Sequence, residues 1–170
     1  QALETALSGI SGIYTVHLRP TNILSPFENF DKSKHVFASM LRTISVAEGV
    51  CELWTSPTDW REFTHSGLLF NCFDVLVRTY LSGNLSSKNI VLAVGSGVET
   101  NIVDLAKCIC AAQKKQGVSF LALQPSRGGP LDEIIGLSQL EAHFPDFSTS
   151  VFDLEGIVSE LVLLYNNKRT

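Results

Sequence analysis

Residues 89–107, which read NIVLAVGSGVETNIVDLAK, constrain the fold of this chain more than any other stretch. An apolar run at residues 90–94 leads into a turn that contains Gly95 and Gly97, and a helical pattern follows from Thr100 or Asn101. This order predicts a buried strand, a tight turn and a capped helix. In α/β sheets, ligands bind at the carboxyl ends of such strands. The turn carries Ser96 but no acidic residue, so this stretch predicts architecture more than chemistry.

The rest of the chain alternates between strand-like and helix-like patterns. Strands are predicted at residues 13–18, 50–55, 90–94, 118–123 and 150–152, and helices at 30–44, 67–81, from 102, 131–140 and from 154, with 60–64 either a short strand or the approach to a helix. Arg19 and Pro20 are expected to end the first strand. In the helix at 67–81, an apolar stripe at helical spacing is expected to be buried: Leu69, Phe73, Leu76, Val77 and Tyr80. We therefore predict an α/β fold, with a doubly wound, mainly parallel sheet and helices on both faces, formed by residues 1–170 as one domain.

Charge and composition limit the classes of partner. Lys and Arg total 13 against 17 Asp and Glu, so the net charge is -4 and nucleic acid is not expected as a direct partner. No apolar run is long enough for a membrane span. The four cysteines lie among apolar neighbours and are expected to be reduced, which favours an intracellular protein of the nucleus or cytoplasm. The alternative of an extracellular adhesion domain would need a disulfide and a glycosylated Asn84.

The usual catalytic signatures are incomplete. A dinucleotide fingerprint would need a third glycine where Thr100 stands, and no P-loop is present. Ser96 lacks the flanking glycines of a nucleophile elbow. His65 has no evident acidic partner, and Ser66 is expected to cap the following helix. We therefore expect no catalytic residues, no metal site and no cofactor.

Several short motifs resemble the von Willebrand factor A (VWA) family. They are the turn VGSGVETN at residues 94–101, NIVDLAK at 101–107 and FDLEGIV at 152–158, and the resemblance extends over residues 64–165. It is nearest to intracellular members, in the proteasomal ubiquitin receptor and in the transcription and repair factor TFIIH. The family's metal site uses Asp-x-Ser-x-Ser after the first strand, whereas this chain has HLRPTN at 17–22. The resemblance thus implies a VWA/Rossmann-like fold with a degenerate metal site and a scaffolding role.

The leading hypothesis is a non-catalytic interaction domain of a multisubunit intracellular complex, in transcription, DNA repair or the ubiquitin-proteasome system, whose partners are other protein subunits. The residues expected to contact them are Arg19, Thr21, Trp54, Trp60, Thr64, His65, Ser96 and Arg127. The alternative is a nucleotide- or phosphate-binding α/β enzyme that uses the Gly95-Ser96-Gly97 turn. That alternative needs an acid folded near Ser96, and the nearest candidates in the sequence are Asp59, Glu99 and Asp104.

Overall fold

The computed structural model describes residues 13–32, 34–85, 88–123, 138–144, 147 and 152–168. The strands are β1 (Thr15–Pro20), β2 (Asn22–Leu24), β3 (Val50–Leu53), β4 (Trp60–His65), β5 (Asn89–Val94), β6 (Glu99–Asn101) and β7 (Ser119–Ala122). The helices are α1 (Val36–Val46), α2 (Ser66–Leu81), α3 (Ile102–Ala112), α4 (Ser138–His143) and α5 (Leu154–Asn167).

The strands form three small sheets. β1 pairs with β5, β2 with β4, and β3 with β7, all in parallel, while β6 runs antiparallel to β4. The predicted α/β class, with mainly parallel pairing and helices packed on the strands, is confirmed. Within the described ranges the strands do not join into one sheet. The middle sheet has the three-residue strands β2 and β6 on either side of β4.

Two apolar cores hold these elements together. The larger one packs α1, α3 and α5 against β3 and includes Phe37, Leu41, Ile44, Leu105, Ile109, Val158 and Leu161. The smaller one packs α2 and α4 against β5 and includes Cys72, Leu76, Leu92, Val94 and Leu140. Burial of these side chains is the main force that favours the folded chain.

Several strands and helices begin or end at residues other than those predicted. β1 continues through Arg19 and Pro20, since a proline is tolerated at the end of a strand. Helix α1 begins at Val36 instead of residue 30, because the preceding residues form turns in which Glu28 N donates to Ser25 O. Residues 60–64, which the sequence left open, belong to strand β4.

The helix starts follow local hydrogen bonds. Of the two predicted candidates, Thr100 and Asn101, it is Asn101 that caps α3, since its Oδ1 accepts from Val103 N at 2.8 Å. The predicted cap of α2 by Ser66 is wrong: His65 is the cap, and its Nδ1 accepts from Gly67 N at 3.2 Å. Each of these bonds satisfies a backbone donor that has no partner within the helix.

Some predictions fall outside the described residues. They include the loop with Arg127, most of the helix predicted at residues 131–140, and residues 150–151 of the last predicted strand. None of the helices in the described ranges is long and apolar enough to span a bilayer.

Candidate functional site

A polar cluster lies where β1 and β5 end. The backbone amide of Thr21 donates to Val94 O at 3.0 Å, and this bond holds the exit of β1 beside the exit of β5. The hydroxyl of Thr21 forms a hydrogen bond with the hydroxyl of Thr64, which is fully buried on β4. Through these two hydrogen bonds, Thr21 links the end of β5 to Thr64 on β4, and so connects the β1–β5 sheet to the β2–β4–β6 sheet.

Glu62 extends this cluster from the neighbouring strand. Its carboxylate Oε1 accepts from Gly97 N at 2.7 Å, and its backbone oxygen accepts from Asn22 Nδ2 at 3.0 Å. The residue is only 3% exposed. A buried carboxylate needs hydrogen bonds to offset its desolvation, and the turn after β5 supplies one.

This arrangement decides what the glycine-rich turn can bind. A Cβ on Gly95 would lie 2.0 Å from Glu62 Oε1, so the glycine makes room for the protein's own carboxylate. A phosphate at the turn would meet that negative charge, and it would have to compete for the amide of Gly97. The residues at this turn therefore do not fit the pyrophosphate of a dinucleotide.

A groove opens beside the cluster along β2. Its volume is about 580 Å³, within the range of small-molecule sites. Its polar residues are Thr21, Asn22 and His35, and its walls include Phe37 and Phe63. We call it the β2 groove. It combines apolar walls with a few hydrogen-bonding groups, which is the usual composition of a ligand site.

The structure brings only part of the predicted contact surface together. Thr21 and Thr64 are hydrogen-bonded to each other, Arg19 is exposed one residue before the groove, and Ser96 lies on the turn that Glu62 holds. Ser96 Oγ accepts from Val98 N at 3.2 Å, which is a local turn bond.

The other predicted contact residues lie apart or serve the helix start. Trp54 is 79% exposed after β3, in a different sheet, whereas Trp60 is half-buried at the start of β4. His65 caps α2. Arg127 is outside the described residues.

The acid that the alternative required near Ser96 is Glu62, which sequence reasoning missed. Of the three acids nearest in sequence, Glu99 lies on β6 opposite Glu62. Asp59 accepts from Thr55 Oγ1 at 2.8 Å, and Asp104 forms an ion pair with Lys107 at 2.6 Å. The available signal was the strand pattern of residues 60–65, in which an acidic residue stands among aromatic and β-branched ones. Only the pairing of β4 with β6 brings it to the turn.

Sequence comparison defines the class of protein. A family profile described as the NAD dependent epimerase/dehydratase family matches residues 2–90, just over half of the chain. The chain belongs to this family. All residues named above as lining the β2 groove fall within the matched stretch. No curated protein matches the sequence.

Solved structures show the same fold at low identity. The chain is similar to a UDP-N-acetylglucosamine 4-epimerase from Methanobrevibacter ruminantium in complex with UDP-N-acetylmuramic acid (TM-score 0.71, 16% identity, 98% of this chain and 51% of that one). It is also similar to the UDP-glucose 4-epimerase of Thermotoga maritima with UDP-glucose (TM-score 0.70, 17% identity, 99% and 51%). A third is RMD from Pseudomonas aeruginosa with NADPH (TM-score 0.74, 10% identity, 98% and 52%). The chain thus spans about half the length of these structures.

These findings correct the leading hypothesis. The VWA assignment is wrong, because both the family profile and the structural neighbours are of the epimerase/dehydratase type. The missing metal ligands therefore do not indicate a degenerate VWA site. The predictions of a non-enzyme, of a scaffold and of roles in transcription or DNA repair are also wrong, since the family is one of enzymes. The alternative, a nucleotide-binding α/β enzyme class, is the better description.

Proposed function

We propose that this chain contributes the nucleotide-sugar-binding part of an NAD-dependent epimerase- or dehydratase-type enzyme. The β2 groove holds the nucleotide sugar. The observation that carries the proposal is the position of this groove: it lies wholly in the stretch that matches the family, at the carboxyl end of β1.

Structural neighbours support this class of substrate. Two of them have a UDP-sugar bound, and a further one, MoeE5, contains both UDP-glucose and NAD. UDP-glucose, which the Thermotoga maritima structure contains, serves as the probe.

The geometry of the groove is suited to such a ligand. Asn22 uses its Nδ2 to bind the backbone oxygen of Glu62, and this bond fixes the orientation of its amide. The amide oxygen of Asn22 then serves as an acceptor for a base, ribose or sugar group in the groove. Phe37 and Phe63 supply apolar walls.

The dinucleotide binds elsewhere in this proposal. The sequence has no complete dinucleotide fingerprint. At the turn that most resembles one, the Glu62 carboxylate already accepts a hydrogen bond from the amide of Gly97. The prediction that this chain holds no cofactor stays a prediction, and in this proposal NAD is held by another part of the enzyme.

Calorimetric titration tests the proposal. We expect UDP-glucose to bind the 170-residue chain, with NAD giving no heat. Asn22→Ala should weaken binding about tenfold, since one ligand hydrogen bond is lost and the orienting contact to Glu62 disappears. Asn84→Ala, in the exposed loop after α2, is the matched control and should bind as the parent does. UDP-glucose affinity that is unchanged by Asn22→Ala, or no binding at millimolar UDP-glucose, would refute the β2 groove as the site.

The intracellular part of the location prediction remains a proposal. It is supported by four cysteines that are all free in the structure, as is usual in reducing compartments. Nothing in the structure or in the family favours the nucleus.

A further inference from the structure

A pocket lined by aromatic and acidic side chains lies between the turns that follow β2 and the end of α5. Its volume is about 360 Å³. Its lining consists chiefly of three aromatic residues, two acids and one lysine: Phe27, Phe30, Tyr165, Glu28, Asp31 and Lys168. We call it the Phe30 pocket. Among the described residues it shares no lining residue with the β2 groove, so it is a separate site.

The ring of Phe30 is held in place by other aromatic rings. It packs edge-to-face on Tyr165, with ring centroids 5.9 Å apart, and on Phe37 at 6.4 Å. Phe30 and Tyr165 are each only 3% exposed, so both rings are anchored in the larger core. Phe27 differs, since it is 79% exposed. The pocket therefore combines two rigid aromatic walls with one that solvent reaches.

The protein places a cation of its own in this pocket. Lys168, which follows α5, has its Nζ 5.5 Å from the centroid of the Phe30 ring. An ammonium group within about 6 Å of a ring centroid is attracted by the negative face of the aromatic system. Lys168 is exposed, so its side chain can leave the pocket without loss of buried packing. The ring of Phe30 thus accepts a cation, and the cation that it holds is replaceable.

Charge in the pocket also favours a cationic ligand. Glu28 and Asp31 contribute two carboxylates, whereas Lys168 contributes the one ammonium among the described lining residues. The Glu28 side chain is only 7% exposed, and its Oε1 lies 2.9 Å from His35 Nδ1. A charge acts more strongly on a nearby carboxylate that is shielded from water than on one that is fully solvated. An anionic ligand would be repelled, and a neutral one would gain nothing from these charges.

We infer that the Phe30 pocket binds a small organic ammonium ion, which displaces Lys168 from the ring of Phe30. The bound cation lies against the rings of Phe30 and Phe27, and its charge is balanced by Glu28 and Asp31. Aromatic rings arranged around a cation are the usual recognition site for quaternary ammonium groups. The inference does not depend on which ligand the β2 groove takes, since the two sites are lined by different residues.

Titration of the chain with choline, followed by the NMR chemical shifts of backbone amides, tests the inference. We expect shifts at Phe27 and Asp31 that saturate in the millimolar range, because the pocket is open and offers few contacts. Neohexyl alcohol is the matched ligand control, since it has the shape of choline with carbon in place of the charged nitrogen, and its shifts should not saturate. Vesicles of phosphatidylcholine distinguish the source of the ammonium group. Co-sedimentation of the chain with them would indicate a lipid headgroup, and binding of free choline alone would indicate a soluble metabolite.

Variants of exposed residues make the test specific to this pocket. Phe27→Ala should weaken choline binding about threefold, because it removes one aromatic wall. Phe70→Ala, at a residue that is 62% exposed on α2, is the matched control and should bind choline as the parent does. Lys168→Ala should strengthen choline binding about threefold, because it removes the competing ammonium group. A lysine that only fastens the end of α5 would instead lower the melting temperature when removed and leave choline binding unchanged.

The inference is overturned if no shift saturates with choline or if the neutral alcohol binds as choline does. It is also overturned if Phe27→Ala leaves the affinity for choline unchanged, or if Lys168→Ala fails to raise it. Titrations are made without UDP-glucose, so a failure of sugar-nucleotide binding is separated from a failure of this inference.

Discussion

The carboxylate of Glu62 and the backbone amide of Gly97 lie 2.7 Å apart, although 35 residues separate them in the chain. This contact fixes the turn after β5 against strand β4 and places a negative charge where the sequence suggests a phosphate-binding loop. A ligand is therefore expected in the β2 groove and not at the turn.

Replacement of Gly95 by alanine should destabilise the fold through this contact. The new Cβ would meet Glu62 Oε1 at 2.0 Å, so the carboxylate must leave the amide of Gly97. We expect a loss of about 1–3 kcal/mol in the free energy of unfolding, measured by urea denaturation. In a double-mutant cycle with Glu62→Ala, the two losses should be clearly less than additive, because both remove the same bond. Strict additivity would contradict this account of Gly95.

Removal of the hydroxyl of Thr64 should loosen the connection between two of the sheets. Thr64→Val keeps the shape of the side chain but loses the bond to Thr21. The expected loss of stability is about 1 kcal/mol, and Thr21→Val should add little to it. Thr43→Val is a suitable control, because the hydroxyl of Thr43 binds only within its own helix turn, at Ser39 O. Equal losses from Thr64→Val and Thr43→Val would argue against a special role for the Thr21–Thr64 pair.

The cap of α3 depends on Asn101, which also binds a neighbouring loop. Its Oδ1 accepts from Val103 N, and its Nδ2 donates to Pro57 O at 2.9 Å. Asn101→Ala removes both bonds and should lower stability by about 1–2 kcal/mol. Asn101→Asp keeps the cap and should recover about half of that loss. Thermal unfolding monitored by circular dichroism should show that stability decreases from the parent chain to Asn101→Asp and then to Asn101→Ala. Any other order would show that the cap contributes little to stability.

Stability should fall at alkaline pH because of Cys72. Burial raises the pKa of its thiol from 9.0 to about 11, although a backbone hydrogen bond opposes part of that rise. Below pH 9 the thiol is protonated in both states and the contribution is fully present. Between pH 9 and about 11 only the unfolded thiol ionises, so unfolding becomes easier, by about 2 kcal/mol in total. Cys72→Ala should reduce stability at pH 7 yet flatten this decline in urea unfolding curves, and an unchanged slope would contradict the assignment to Cys72.

The sequence predicted the elements better than their assembly. The amphipathic pattern of residues 67–81 and the cap residue Asn101 are local properties, and they correctly placed α2 and α3. The three-residue strands β2 and β6 carry no periodic signal of their own and exist because β4 pairs with both. For this reason the pairing of the strands could not be predicted from the spacing of apolar residues alone.

The candidate site likewise combines residues that the sequence indicated with residues that only the fold brings together. Thr21 and Thr64 were singled out because they lie in loops expected at the carboxyl ends of strands, and the fold brings them into contact. Glu62 was missed, since nothing local distinguishes an acid within a strand. The short motifs suggested the wrong family because a strand, a Gly-x-Gly turn and a helix recur in many α/β proteins.

The sequence by itself determined the α/β class, most of the helices and the start of α3, because these depend on residues within a few positions of one another. Only the tertiary structure decided that Glu62 closes the glycine turn, that a groove opens along β2 and that Phe73, Val77 and Tyr80 of the apolar stripe of α2 remain exposed. These features depend on which strands pair and which faces remain uncovered, and such contacts between distant residues leave no regular spacing in the chain.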